Sequence, residues 1–234
     1  MALDSVNLTK VLTAGAPVLM LDTCSLLDIV REPMREDCKL VNVRAAMAML
    51  MAAEAGSKLT ILIAEQVSQE LTQNANDVMQ TAGKAMHKYI AKAQHIDLVA
   101  SEFGATGSMN TAHLVDHSAR ANAIFSRWVA AGIPVPPETA VSDRASHRVR
   151  HAIAPSRRGK ENFKDCFVIE SYLEVATQLN AAGFTKPMVF GSSNTSEYMD
   201  QLSKQPPSPL DAELRAQRLE YAPDHRRMKM MLGV

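Results

Sequence analysis

Two runs in the chain are apolar at nearly every position. Residues 17–22 read Pro-Val-Leu-Met-Leu-Asp and end on an acid; residues 58–64 read Lys-Leu-Thr-Ile-Leu-Ile-Ala. A run without polar alternation fits a central parallel strand, covered by helices on both faces. Between them, residues 41–55 (VNVRAAMAMLMAAEA) are rich in Ala, Met and Leu, and Gly56 follows. That is a helix with a C-terminal stop. Residues 67–74 read as another helix. Strand, helix, strand, helix predicts a parallel sheet with helices packed on it.

Residues up to about Gly15 read as a lead-in to the first strand. The apolar stretch 11–21 follows Lys10, but it contains Pro17 and meets Asp22 with no small-residue cleavage site. It therefore reads as a buried strand and not as a secretory leader. No other apolar run approaches the roughly 18 residues needed to span a bilayer.

The middle of the chain is helical in pattern. Residues 77–94 and 111–131 carry apolar side chains at helical spacing, and a loop with Gly104 and Gly107 separates them. Residues 132–137 (GIPVPP) read as a turn, 144–153 as a basic helix, and 157–160 (RRGK) as an exposed loop. Alternation then returns. Residues 163–182 form a helix stopped by Gly183, 187–190 a short strand, and 194–202 a helix. Pro206, Pro207 and Pro209 make a stiff spacer. Residues 211–218 read as a helix, 219–221 as a last strand, and Asp224 caps a basic terminal helix.

Composition narrows the classes. The chain has 234 residues, 47% hydrophobic and 21% charged, with 25 basic and 25 acidic residues. It is long enough for one sizeable core. A zero net charge excludes a global basic field, so nucleic-acid binding has to come from a local patch. Cys24, Cys38 and Cys166 form no CxxC or zinc spacing, which fits a reducing, cytoplasmic compartment. Beside the motifs, Cys24 and Cys166 read as small buried hydrophobes and not as nucleophiles.

The chemistry lies in acids at matching places. Asp22 ends the first strand. Glu70 sits in the helix after the second. Asp165 opens a long helix. Asn194 follows the strand at 187–190, with Glu197 one turn later. In an open parallel sheet, ligands bind beyond the carboxyl ends of the strands. Glu70 shares a stripe with Val67, Leu71 and Asn74, and Asp165 shares one with Val168, Ile169 and Tyr172, so both should point inward. Taken alone, an Asp at a strand end reads first as a cap or salt-bridge partner, Glu70 as a surface helix charge and Asp165 as a dipole partner; together, in this order, they read as a site. Inward carboxylates without basic partners are costly and repel one another, and a hard divalent cation would relieve both effects.

The segments carrying these acids resemble the four motifs of the PIN-domain nuclease family, which includes toxin ribonucleases of the VapC type. VLMLDTCSLL (18–27) is similar to the first motif, ILIAEQVSQEL (61–71) to the second, GKENFKDCFVIE (159–170) to the third, and MVFGSSNTSEY (188–198) to the fourth. Ser192 and Asn194 depart from the commoner Thr and Asp of that last motif. The resemblance implies a single domain with a three-layer α/β/α fold around a mainly parallel sheet, and residues 77–155 forming a helical elaboration within it. It implies an endonuclease that hydrolyses phosphodiester bonds, RNA ahead of DNA, with Mg²⁺ or Mn²⁺. On these motifs Asp22, Glu70 and Asp165 would be metal ligands, Asn194 a further catalytic residue, and Ser192 and Glu197 additional site residues. An antitoxin or other protein partner and a homodimer also belong to the expectation.

The basic residues Arg144, His147, Arg148, Arg150, His151, Arg157, Arg158 and Lys160 cluster just before Asp165. Arg148, Arg157, Arg158 and Lys160 are the candidate nucleic-acid contacts; the same run reads equally as a solvated helix face and loop. Aromatics are 5% of the chain, too few for a stacking ladder. Two other readings remain open. One is a PIN-like RNA-binding or interaction module with a weakened metal site. The other is a haloacid-dehalogenase-type phosphatase, which needs an Asp where Cys24 stands.

Overall fold

The computed structural model describes residues 3–31, 33–160 and 162–234. The chain begins with helix α1 (Ser5–Ala14), where a lead-in was expected. Its ends are set locally. The Asp4 carboxylate accepts from the Asn7 N–H at 2.7 Å, and Gly15 takes the left-handed turn that closes the helix. Residues 11–14 thus finish a helix, and the strand is only β1 (Val18–Leu21).

Helices α2 (Thr23–Leu27) and α3 (Leu40–Glu54) lead to β2 (Thr60–Ala64). From its end springs α4 (Glu65–Glu102), a single helix of 38 residues, about 57 Å at 1.5 Å per residue. The sequence reading split it near 75. No proline or glycine interrupts it before Gly83, and Ala75 packs into the core, so Asn74, Asn76 and Asp77 only weaken it.

After α5 (His117–Ala131) comes β3 (Gly132–Val135), where a turn was expected. Pro134 misled, because it cannot donate to a ladder. β3 is an edge strand with Pro134 exposed, the one setting where a strand tolerates it. The stretch 77–155 therefore contributes a strand to the sheet as well as helices. Helices α6 (Thr139–His151) and α7 (Phe163–Ala181) then cross to β4 (Met188–Gly191). The short α8 (Thr195–Tyr198) and α9 (Leu210–Ala216) precede β5 (Leu219–Ala222) and α10 (His225–Leu232), which Asp224 caps as expected.

The five strands are all parallel, in the order β3-β2-β1-β4-β5. The three central strands are buried at every position, whereas the edge strands β3 and β5 are only partly buried. α10 packs on β1, β4 and β5 and against α3, while α7, with α6 packed on it, lies against β2. The fold is thus a three-layer α/β/α sandwich. Among the described residues no helix is long and apolar enough to cross a membrane.

Candidate functional site

β1 delivers Asp22 to the carboxyl edge of the sheet. The Asp22 N–H still pairs with the Gly191 carbonyl of β4 at 3.0 Å, so the ladder fixes its backbone. The side chain is 3% exposed. Its Oδ2 accepts from the Ser192 hydroxyl at 2.6 Å. Ser192 is fully buried, and its Oγ accepts the Asn194 N–H at 3.1 Å. An N–H only donates, so the Ser192 proton is left to point at Asp22.

Thr23 and Ser25 do not cap α2. The Thr23 hydroxyl donates to Glu70 Oε2 at 2.6 Å, while Gln66 Nε2 donates to Oε1 at 2.9 Å. The second turn of α4 is thereby tied to the residue after Asp22. Ser25 instead accepts the Ser193 N–H at 3.0 Å. Asp165 enters from the first turn of α7. Its Oδ1 lies 3.4 Å from Asn194 Nδ2, and its carbonyl accepts from the Tyr198 hydroxyl at 3.1 Å.

Asp22, Glu70 and Asp165 act on one another. Burial raises the Asp22 pKa to about 7; the Ser192 bond opposes this, and the charges of Asp165 and Glu70 add to it. Asp165 is also raised, first by burial and then by Glu70, with Lys160, Tyr198 and Asn194 working against the shift. Among the described residues, no Arg or Lys forms an ion pair with any of the three. Among the described residues, no three His, Cys, Asp or Glu side chains stand, as placed, where they could together hold a metal ion. In donor chemistry the set is anionic oxygen only, which suits a hard divalent cation.

The remaining candidates divide. Glu197 is 6% exposed and is held by Lys160 and Asn162, with Arg157 at 3.7 Å. It anchors the loop before α7. Arg148 differs from its expected role. It is 4% exposed, and its guanidinium bonds to Glu170, Glu213 and the Ala154 carbonyl. An unpaired cation is too costly to bury, so it is satisfied inside the protein and does not face a phosphate. Arg144 is likewise bonded to Glu170 and Glu174. Of the candidate contacts in the basic run, Arg157, Arg158 and Lys160 stay exposed on the loop before α7, Arg157 and Lys160 lying against Glu197. Burial pushes the Cys24 thiol up to about 12 and Cys166 to about 11, so both remain protonated and inert.

One positioning residue was missed from sequence. The Tyr172 hydroxyl donates to the Leu21 carbonyl and accepts from the Ala64 N–H, clamping α7 to the ends of β1 and β2. Its only signal was membership of the buried stripe that includes Asp165.

Comparison with known proteins bears on this edge. A search of curated proteins and a search of solved structures found no match. A family profile described as PIN domain matches residues 19–198, from β1 through α8, and so takes in Asp22, Glu70, Asp165 and Glu197. PIN domains are in general nucleases that act on nucleic acid with divalent metals. With more than half its length matched, the chain belongs to the PIN-domain family.

Proposed function

We propose that this chain is a metal-dependent ribonuclease that hydrolyses phosphodiester bonds at Asp22, Glu70 and Asp165. The observation that carries the reading is three carboxylates at one strand edge, held by neutral donors and disfavouring one another's charge. Such an arrangement favours binding a cation. The fit rests on donor type. Asp22 and Asp165 would hold Mg²⁺ or Mn²⁺, and Glu70 would ligate it or orient the attacking water.

A bound divalent ion supplies Lewis acidity and offsets charge building on the phosphate. The protein's own groups do the positioning. Ser192 aims one lone pair of Asp22 and, by donating to it, favours the ionised form. Thr23 and Gln66 fix both oxygens of Glu70. Asn194 steadies Asp165. Exposed Arg158 offers positive charge to the substrate backbone, with Arg157 and Lys160 beside it partly offset by Glu197. With few aromatics for stacking, recognition follows the backbone and not the bases.

The test is incubation of the purified protein with labelled RNA and single-stranded DNA, with and without Mn²⁺, beside Asp22→Asn. Mn²⁺-dependent cutting of RNA that the variant loses supports the proposal. Equal cutting by the variant removes Asp22 from the site. Binding without cutting would mark a recognition module instead.

A further inference from the structure

Helix α4 begins at the catalytic edge and runs far beyond it. Glu70 lies in its second turn, and the helix ends at Glu102. Between Asp77 and Asp97 the sequence contains no acid, yet it carries Lys84, Lys88 and Lys92 together with His87 and His95. This is a basic interval in a chain whose charges otherwise balance.

The spacing places those lysines together. At about 100° per residue, Lys84, Lys88 and Lys92 fall within roughly 40° of the direction in which Glu70 points. At 1.5 Å per residue they stand about 21 to 33 Å beyond it along the axis. All three are exposed, and among the described residues none has an ion-pair partner. Other basic side chains are engaged: Arg127 with Glu54, Arg144 and Arg148 with Glu170, Arg215 with Asp211. The packed side of α4 is a different one. Ala75, Ala82, Met86 and Ala93 are buried and lie about 120–160° round from Glu70, so packing does not require the lysines. Between Glu70 and the first lysine, Asp77 shares a groove of about 390 Å³ with Arg31 and Arg35, which are paired with Asp28 and Asp37, so the basic stretch begins at Lys84.

We infer that the distal half of α4 is a docking ridge for the phosphate backbone of a nucleic acid whose scissile phosphate sits at the Asp22–Glu70–Asp165 edge. The inference rests on the nuclease reading and adds to it a preference for substrates that extend well past the cut. A helix that carries a site acid and then a row of free ammonium groups on the same side gives a polyanion one continuous path. Three such contacts release condensed counterions and leave a definite salt signature.

The experiment uses the full chain with Asp22→Asn, to prevent cutting, with and without Lys84→Gln, Lys88→Gln and Lys92→Gln together. Gln keeps helix propensity, and circular dichroism checks the fold. Fluorescence anisotropy is read against salt with a single-stranded RNA of about 30 nucleotides and one of about 3, the short one unable to reach the ridge even when extended. The triple change should weaken the long RNA roughly tenfold to hundredfold near 0.1 M salt and make its salt slope shallower by about 2. The short RNA should shift less than about twofold, since its contacts stay near the cut. Lys10→Gln, Lys58→Gln and Lys186→Gln, three exposed positions away from the acidic edge, control for lost net charge. Equal behaviour of the two triple variants, or an unchanged salt slope, overturns the ridge. If unmutated protein still cuts RNA in Mn²⁺ in that case, only the ridge falls. If it cuts nothing, the nuclease reading fails by itself.

Discussion

The Tyr172 hydroxyl donates across 2.5 Å to the carbonyl of Leu21, the residue before Asp22. It also accepts the Ala64 N–H at 3.0 Å. One buried phenol therefore satisfies two strand ends that have run out of ladder partners. It also sets the height of α7, whose Asp165 lies about two turns earlier on the same face. Tyr172→Phe would leave both backbone groups dry and unpaired. The expected cost is about 1–3 kcal/mol in urea unfolding, together with weaker Mn²⁺ binding. A Phe variant with unchanged stability and metal affinity would refute the clamp.

Asp22 makes the metal-free protein sensitive to pH. Burial holds its pKa at about 7, against 3.8 for the free side chain. Between those values the folded chain carries more protons than the unfolded one. Stability therefore falls as pH rises from about 4 to about 7, and the loss is complete above that. The ceiling is on the order of 4 kcal/mol, at 1.36 kcal/mol per pKa unit. In chelator, Asp22→Asn should melt higher than the unmutated protein near pH 8. It should also lose most of the slope; Asp165, raised in the same direction, leaves a remainder of the same sign. Thermal melts across pH measure it, and an undiminished slope in the variant would refute the assignment.

Glu197 offers a sharper division of roles. Its carboxylate is occupied by Lys160 and Asn162, so the structure makes it a loop anchor. Glu197→Gln should loosen residues 154–160 to limited proteolysis and cost on the order of 1–2 kcal/mol, since Lys160 is half exposed. Mn²⁺ affinity should stay near that of the unmutated protein. A loss as large as that of Asp22→Asn would make Glu197 a ligand after all.

Arg148 and Arg158 separate packing from binding. Arg148→Ala leaves buried Glu170 with Arg144 as its remaining partner and takes the donor from Glu213 and the Ala154 carbonyl, so it should cost up to about 3–5 kcal/mol in urea unfolding. Arg158→Ala, on the exposed loop, should stay within about 0.5 kcal/mol yet weaken RNA binding in a salt-dependent way.

Much of this architecture was legible because central parallel strands are apolar throughout. The runs at 17–22 and 58–64 declare themselves, and acids at their ends mark an edge. What stayed hidden were features that depend on position in the sheet. Pro134 reads as a turn until β3 is known to be an edge strand. Arg148 reads as a phosphate contact until α7 brings Glu170 beneath it. Tyr172 is only one more apolar position until its hydroxyl meets Leu21. Local pattern identifies elements, while the partners of a long polar side chain come from residues far away in the chain.

The central claim is that Asp22, Glu70 and Asp165 are gathered for a cation. Calorimetric titration of Mn²⁺ into the metal-free protein tests it most directly, beside Asp22→Asn and Asp165→Asn. The account predicts saturable binding that weakens as pH falls below about 7, because Asp22 must ionise first, and that both variants lose. Absence of saturable binding by the unmutated protein, or binding that both variants retain in full, would contradict it.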